Sequence, residues 1–245
     1  MHIVADILII AIIVFCAWQG YKRGILGGIL AVAFLFVSVW GAGVMTGAFA
    51  NEFTSMFRPF ISGWMDRVEV EAAEEVVPLE LVGRSTEDIF RLDPNLETVV
   101  VRQAFLELGV HESRTDQLVE KYLEARDRGE YVSFNQAMTE VSVNTFCFLM
   151  VYIIAFLLIL IALTVIYNVI HLSFKIPSLK LVDDIGGGIL GLVQGLFLVF
   201  MLSWALGYAG LLLSGFGLPE YFLEQTSVVE FFVRQNTMGA FIEIS

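Results

Sequence analysis

The chain has 245 residues, of which 57% are hydrophobic and 16% charged, and its mean hydropathy is +0.77. Soluble domains run roughly half apolar and a quarter charged, so the composition is that of an integral membrane protein. The formal net charge of −12 argues against a nucleic-acid partner, because binding phosphates needs clustered Lys and Arg.

Residues 3–19 carry one ionised group, Asp6, and are just long enough to cross a hydrocarbon core of ~30 Å. A secretory signal peptide would place positive charge before its apolar core, whereas Lys22 and Arg23 follow it. Ala48-Phe49-Ala50 resembles a cleavage site, but the apolar stretch before it is far longer than a signal-peptide core, so the segment reads as retained. Residues 18–23 read as a short interfacial turn. The uncharged residues 24–50 then make a second, tilted span, and the two spans form a hairpin.

Residues 51–140 change character, with 19 acids against 9 bases. Residues 53–64 are aromatic-rich, as in a segment lying along a membrane surface. Asp93-Pro94 starts a helix that Gly109 ends, and residues 115–128 make another that Gly129 stops. Ser133 with Gln136 is a capping box opening a helix into the next span. This is a small helical region with a modest core.

Residues 141–174 lack Asp, Glu, Lys and Arg and contain the third span, about 146–170. His171, Lys175, Pro177 and Lys180 follow, with Pro177 breaking the helix. Residues 185–219 are again free of these charges and contain the fourth span, whose start Asp183 and Asp184 would cap. In the tail, Val228, Val229, Phe231 and Phe232 lie between acids, as in an amphipathic surface segment. The predicted fold class is therefore an all-α membrane protein of four transmembrane helices in two hairpins. The expected domains are 1–50, the first hairpin; 51–140, an acidic extracytoplasmic helical region; 141–215, the second hairpin; and 216–245, the amphipathic tail.

Lys22, Arg23, Lys175 and Lys180 assign both short turns to the cytoplasm under the positive-inside rule. Both termini and residues 51–140 then lie outside. Arg58 and Arg67 weakly oppose this orientation.

Two glycine stripes share one spacing. Gly20, Gly24 and Gly28 recur every fourth residue, as do Gly187, Gly191 and Gly195. On a helix each set lies on one face, and in lipid such GxxxG faces let two backbones approach. The six glycines are expected to pack two helices together, with Gly186-Gly187-Gly188 loose enough to hinge. A sharper alternative is that they line a path for a solute or peptide. Arg23, Asp183 and Asp184 adjoin the stripes as a charge pair or a cap, and Asp6 is a candidate intramembrane ion site.

The early Asp6, the Gly20…Arg23-Gly24 opening of the second span, the Asp183…Gly187…Gly191…Gly195 block and the Leu218-Pro219…Phe232 tail together resemble the CvpA (colicin V production) family of bacterial inner-membrane proteins. The resemblance covers about residues 3–50 and 141–235. The chain departs from the family pattern at Asp184 and Gln194, where members commonly carry a basic residue. The resemblance implies a bacterial cytoplasmic membrane location and a role in toxin (colicin V) production or export.

No Gly-x-Ser-x-Gly, His-Glu-x-x-His or Walker motif occurs. His2, His111 and His171 are dispersed, and His111 with Asp116 is chance spacing in an acidic helix pair. The expectation is thus a non-enzymatic membrane factor without catalytic, cofactor or metal residues. It would act in toxin production or export and envelope maintenance, with the bilayer and a membrane-protein partner or a second copy as its contacts. The rival reading is a small oligomeric channel or transporter for an ion, solute or peptide.

Overall fold

The computed structural model describes residues 2–129, 131, 133–171, 180–213, 227–235, 237–240 and 242, and is all helical across them. The helices are α1 (His2–Val76), α2 (Thr86–Leu92), α3 (Asn95–Glu107), α4 (Glu112–Asp127), α5 (Phe134–His171), α6 (Lys180–Leu206), α7 (Ala209–Leu213) and α8 (Ser227–Gln235), with a 3-10 turn at Thr237–Ala240. Lys175, Pro177, Leu218 and Pro219, and the side chains of His2, His171 and Lys180, lie outside the described residues. Among the described residues three helices are long and apolar enough to cross a membrane, over Asp6–Val76, Phe134–Val169 and Leu181–Leu206.

The helical path of α1 is interrupted at one residue, Gly24, with φ 76° and ψ −179°. Only glycine enters that region without a steric penalty. Residues 18–23, expected as a turn, are helical instead, and Lys22 closes over the Trp18 ring one turn back, 3.7 Å from its centroid. Beyond Gly24 the helix runs past Ala50 and through Pro59 to Val76, so residues 53–64 belong to a long helix and not to a separate surface segment.

Two compact units make up the chain: Met1–Ala48 with Met150–Ala205 and Tyr221–Glu243, and Phe49–Leu149 with Leu206–Glu220 and Ile244–Ser245. In the first, Leu35, Ala42, Tyr152, Val199 and Trp204 are buried. The Tyr152 hydroxyl donates to the Val39 carbonyl at 3.2 Å, and its ring lies 5.5 Å from Trp204. Val14, Phe36, Trp40, Leu158, Ile161 and Val169 are exposed. Large apolar side chains facing outward on long helices are what a lipid-bathed surface presents.

The second unit has a small core of Val100, Val101, Ala104, Phe105, Leu118, Tyr122, Phe134 and Ala137. The expected punctuation is present. Asp93 Oδ1 accepts from Asn95 N at 3.0 Å, Ser133 Oγ accepts from Gln136 N at 3.3 Å, and Gly109 and Gly129 take positive φ after α3 and α4. Glu97 accepts from the Tyr122 hydroxyl at 2.9 Å and pairs with Arg126 at 3.1 Å. Glu87 pairs with Arg126 at 3.3 Å and accepts Phe134 N at 2.5 Å, which caps α5. Burial, then the Glu97 charge, holds the Tyr122 phenol above its ordinary 10.0. Arg114 is fully buried under the Tyr208 ring, 6.0 Å away, and burial lowers its pKa.

Candidate functional site

Along α6 the glycines meet the two parts of α1 in opposite senses. A Cβ added to Gly195 would lie 2.9 Å from Ile13 Cα, one on Gly191 would press on the Cys16 carbonyl, and one on Gly187 would press on the Gly20 carbonyl. Residue number therefore falls along residues 2–23 as it rises along α6. After Gly24 the order turns over: Gly186 meets Ile25, Gly28 meets Leu190, and Phe36 stacks 5.6 Å from Phe197. At Gly20, Gly187 and Gly191 the opposing atoms are backbone, so these faces touch main chain to main chain. The faces hold each other and leave no room for a path between them.

Gly186, Gly187 and Gly188 are all inside α6 and regular, where a loose start was expected. The helix begins three residues before Asp183, at Lys180. Asp183 consequently caps a different helix from its own. Its Oδ1 accepts the backbone N–H of Ile25 at 2.8 Å, the first donor after the break at Gly24. A new helix start leaves such N–H groups without intrahelical partners and presents the positive end of a dipole, and a carboxylate answers both. Gly24 is pressed against this carboxylate so closely that any side chain there would strike it.

Arg23 makes no ion pair with Asp183 among the described residues; its guanidinium lies 5.7 Å from the centroid of the Tyr167 ring. Asp184 is half-buried and forms no hydrogen bond or ion pair among the described residues. Asp6 accepts from Val228 N at 3.2 Å and Val229 N at 3.3 Å, capping α8 from the other end of the chain. In α8, Val229 and Val233 are buried, and Phe232 meets Phe200 at 5.0 Å. No group of His, Cys, Asp and Glu among the described residues could hold a metal ion. His111 is the N-cap of α4, its ring accepting from Ser113 N at 3.2 Å.

One small cavity opens beside the break, lined by Arg23, Gly27, Phe34, Thr164, Tyr167 and Gln194 among others. Sequence reasoning singled out Arg23 and noted Gln194, but not Thr164 or Tyr167. Those two stand three residues apart in an apolar span, which puts them on one helix face and is the signal that could have found them.

Residues 129–235 match the family described as Colicin V production protein. The matched stretch holds α4's last stop, α5, α6 and α8, with Asp183 and the second glycine stripe; Asp6, Gly20, Arg23 and Gly24 precede it. No curated protein and no solved structure matches the chain.

Proposed function

We propose, from the premise of the CvpA (colicin V production) family matched over residues 129–235, that this multi-pass membrane protein is a non-enzymatic factor. It would support toxin production or export and envelope maintenance by packing with a partner protein or a second copy. The family match carries this reading. Its architecture would be four spans in two hairpins, residues 2–23 with 25–48 and α5 with α6, in a bacterial cytoplasmic membrane. The reversed order of contacts on the two sides of Gly24 supports the first hairpin. The turns would face the cytoplasm, and residues 51–140 and both termini the outside.

The channel reading gains nothing from the geometry: the glycine faces are filled by opposing backbone and side chains, and Asp6 is occupied by two backbone N–H groups. The experiment is photo-crosslinking in native membranes from exposed positions in 51–140 and from residues 175–184, with partners identified by mass spectrometry. A reproducible protein partner, or a second copy, supports the proposal. Ion or solute flux in liposomes holding only this protein, altered by Asp6→Asn, would overturn it in favour of a conducting path.

A further inference from the structure

The cavity beside Gly24 is lined by two polar side chains, Arg23 and Gln194, whose N–H donors have no acceptor among the described residues. Arg23 offers five N–H donors and Gln194 two, and neither forms a hydrogen bond or ion pair among the described residues. The counter-charge suggested by the glycine stripes, Asp183, is committed to Ile25 N, and neither it nor Asp184 forms an ion pair with Arg23 among the described residues. The Thr164 hydroxyl donates to the Leu160 carbonyl at 2.7 Å, and Thr164 and Tyr167 line the same cavity beside the apolar Ala31, Phe34 and Leu160. A guanidinium drawn partly out of water without an anion is unfavourable, and a cation and an amide lining one cavity define the chemistry that relieves it. Arg is the side chain best matched to oxygens of a phosphate, through parallel N–H···O bonds.

The room inside is about that of one water, so the cavity accepts one oxygen of a larger group and not a whole solute. We propose that this cavity binds a phosphate oxygen, with Arg23 as the cation and Gln194 as the second donor. The occupant is the phosphodiester of an anionic phospholipid or a free phosphate, two sources of the same chemistry. The proposal goes beyond the function argued above and does not depend on which turn faces the cytoplasm.

The test is native mass spectrometry of the full chain released from bilayers containing phosphatidylglycerol and phosphatidylcholine, with and without inorganic phosphate. The intact protein is expected to retain phosphatidylglycerol over phosphatidylcholine. Arg23→Gln should cut that retention by about tenfold or more, as expected for lost hydrogen bonds to a charged group. Gln194→Leu should also lower it, although it changes no charge. Lys22→Gln, which removes an equal charge outside the cavity, should leave it intact. If inorganic phosphate displaces the lipid, or binds alone and is lost in Arg23→Gln, the site stands and its occupant is the free anion.

Equal losses in Lys22→Gln and Arg23→Gln overturn the site in favour of diffuse surface charge. Unchanged retention in Gln194→Leu, or no Arg23-dependent binding of either probe, overturns it in favour of a cavity that holds only water. Far-UV circular dichroism monitors folding, and if Arg23→Gln does not fold, Gln194→Leu decides alone.

Discussion

Adding one methyl group to Gly20 should separate two helices. The new Cβ would press on the Gly187 carbonyl oxygen and stand 2.7 Å from Gly191 Cα, both of them main-chain atoms that cannot swing aside. Carbon atoms in ordinary contact are about 3.5–4.0 Å apart, so the backbones must part by roughly 1 Å. A gap of that size forfeits about a quarter to a half of each affected dispersion contact, and overpacking costs about 1–3 kcal/mol. Alanine returns at most about 1 kcal/mol through its better helix propensity. The expected net loss for Gly20→Ala is therefore about 1–2 kcal/mol. Gly43→Ala is the matched control, because nothing lies within 4 Å of its added Cβ. Without a clash it should be neutral or stabilising by up to about 1 kcal/mol. The assay is unfolding in detergent micelles followed by far-UV circular dichroism, with both variants measured beside the parent. If the two alanine variants unfold together, close backbone contact at Gly20 is not what holds this unit.

Further outcomes follow from the same contacts. Gly24→Ala should cost more than Gly20→Ala, because it adds backbone strain of about 1–3 kcal/mol to a collision with the Asp183 carboxylate; the same unfolding assay checks it. Asp183→Ala should lose about 0.5–2 kcal/mol as the Ile25 N–H loses its acceptor, while Asp183→Asn, which keeps an oxygen, should retain most of it; equal losses would show that charge and not the hydrogen bond matters. Asp6→Ala should free the start of α8, read as faster amide exchange over residues 227–235 with α3 and α4 unaffected. Tyr122 supplies a pH dependence. Its pKa is raised in the fold above 10.0, so its contribution is complete below pH 10 and is lost as pH rises from there, the unfolded chain shedding the proton first. Tyr122→Phe should flatten the alkaline limb of the stability profile.

Much of this was legible because membrane helices announce themselves by what they omit. Stretches of 34 and 35 residues without a single Asp, Glu, Lys or Arg have few alternatives, and α5 and α6 occupy them. The stops at Gly109 and Gly129 and the cap at Ser133 were readable because each is a local device, whereas Asp93 ends α2 and Pro94 takes the N-cap of α3. Helix α2 was missed although Ser85 and Asp88 carry a cap signal, the Ser85 side chain accepting Asp88 N; seven residues are too few for periodicity to show. The glycine spacing pointed to helix packing, but spacing alone could not say which residue opposes which. The Asp183 carboxylate was readable as a helix cap and not as the cap of another helix, since a donor 158 residues away leaves no trace in local sequence. The charges at Arg23 and Asp183 suggested each other, yet the carboxylate takes a backbone N–H and the guanidinium an aromatic face.

The bond between Asp183 and Ile25 also sets an order of assembly. When the first two apolar segments leave the ribosome, the Ile25 amide lacks its Asp183 acceptor, and a part-buried donor left unpaired costs about 1–3 kcal/mol. That debt stands until residue 183 has been synthesised and has reached the same depth, so the early pair is held open for a late visitor. A chain truncated before α6 should therefore stay on its insertion machinery, or be degraded, and supplying α6 as a separate polypeptide should release it.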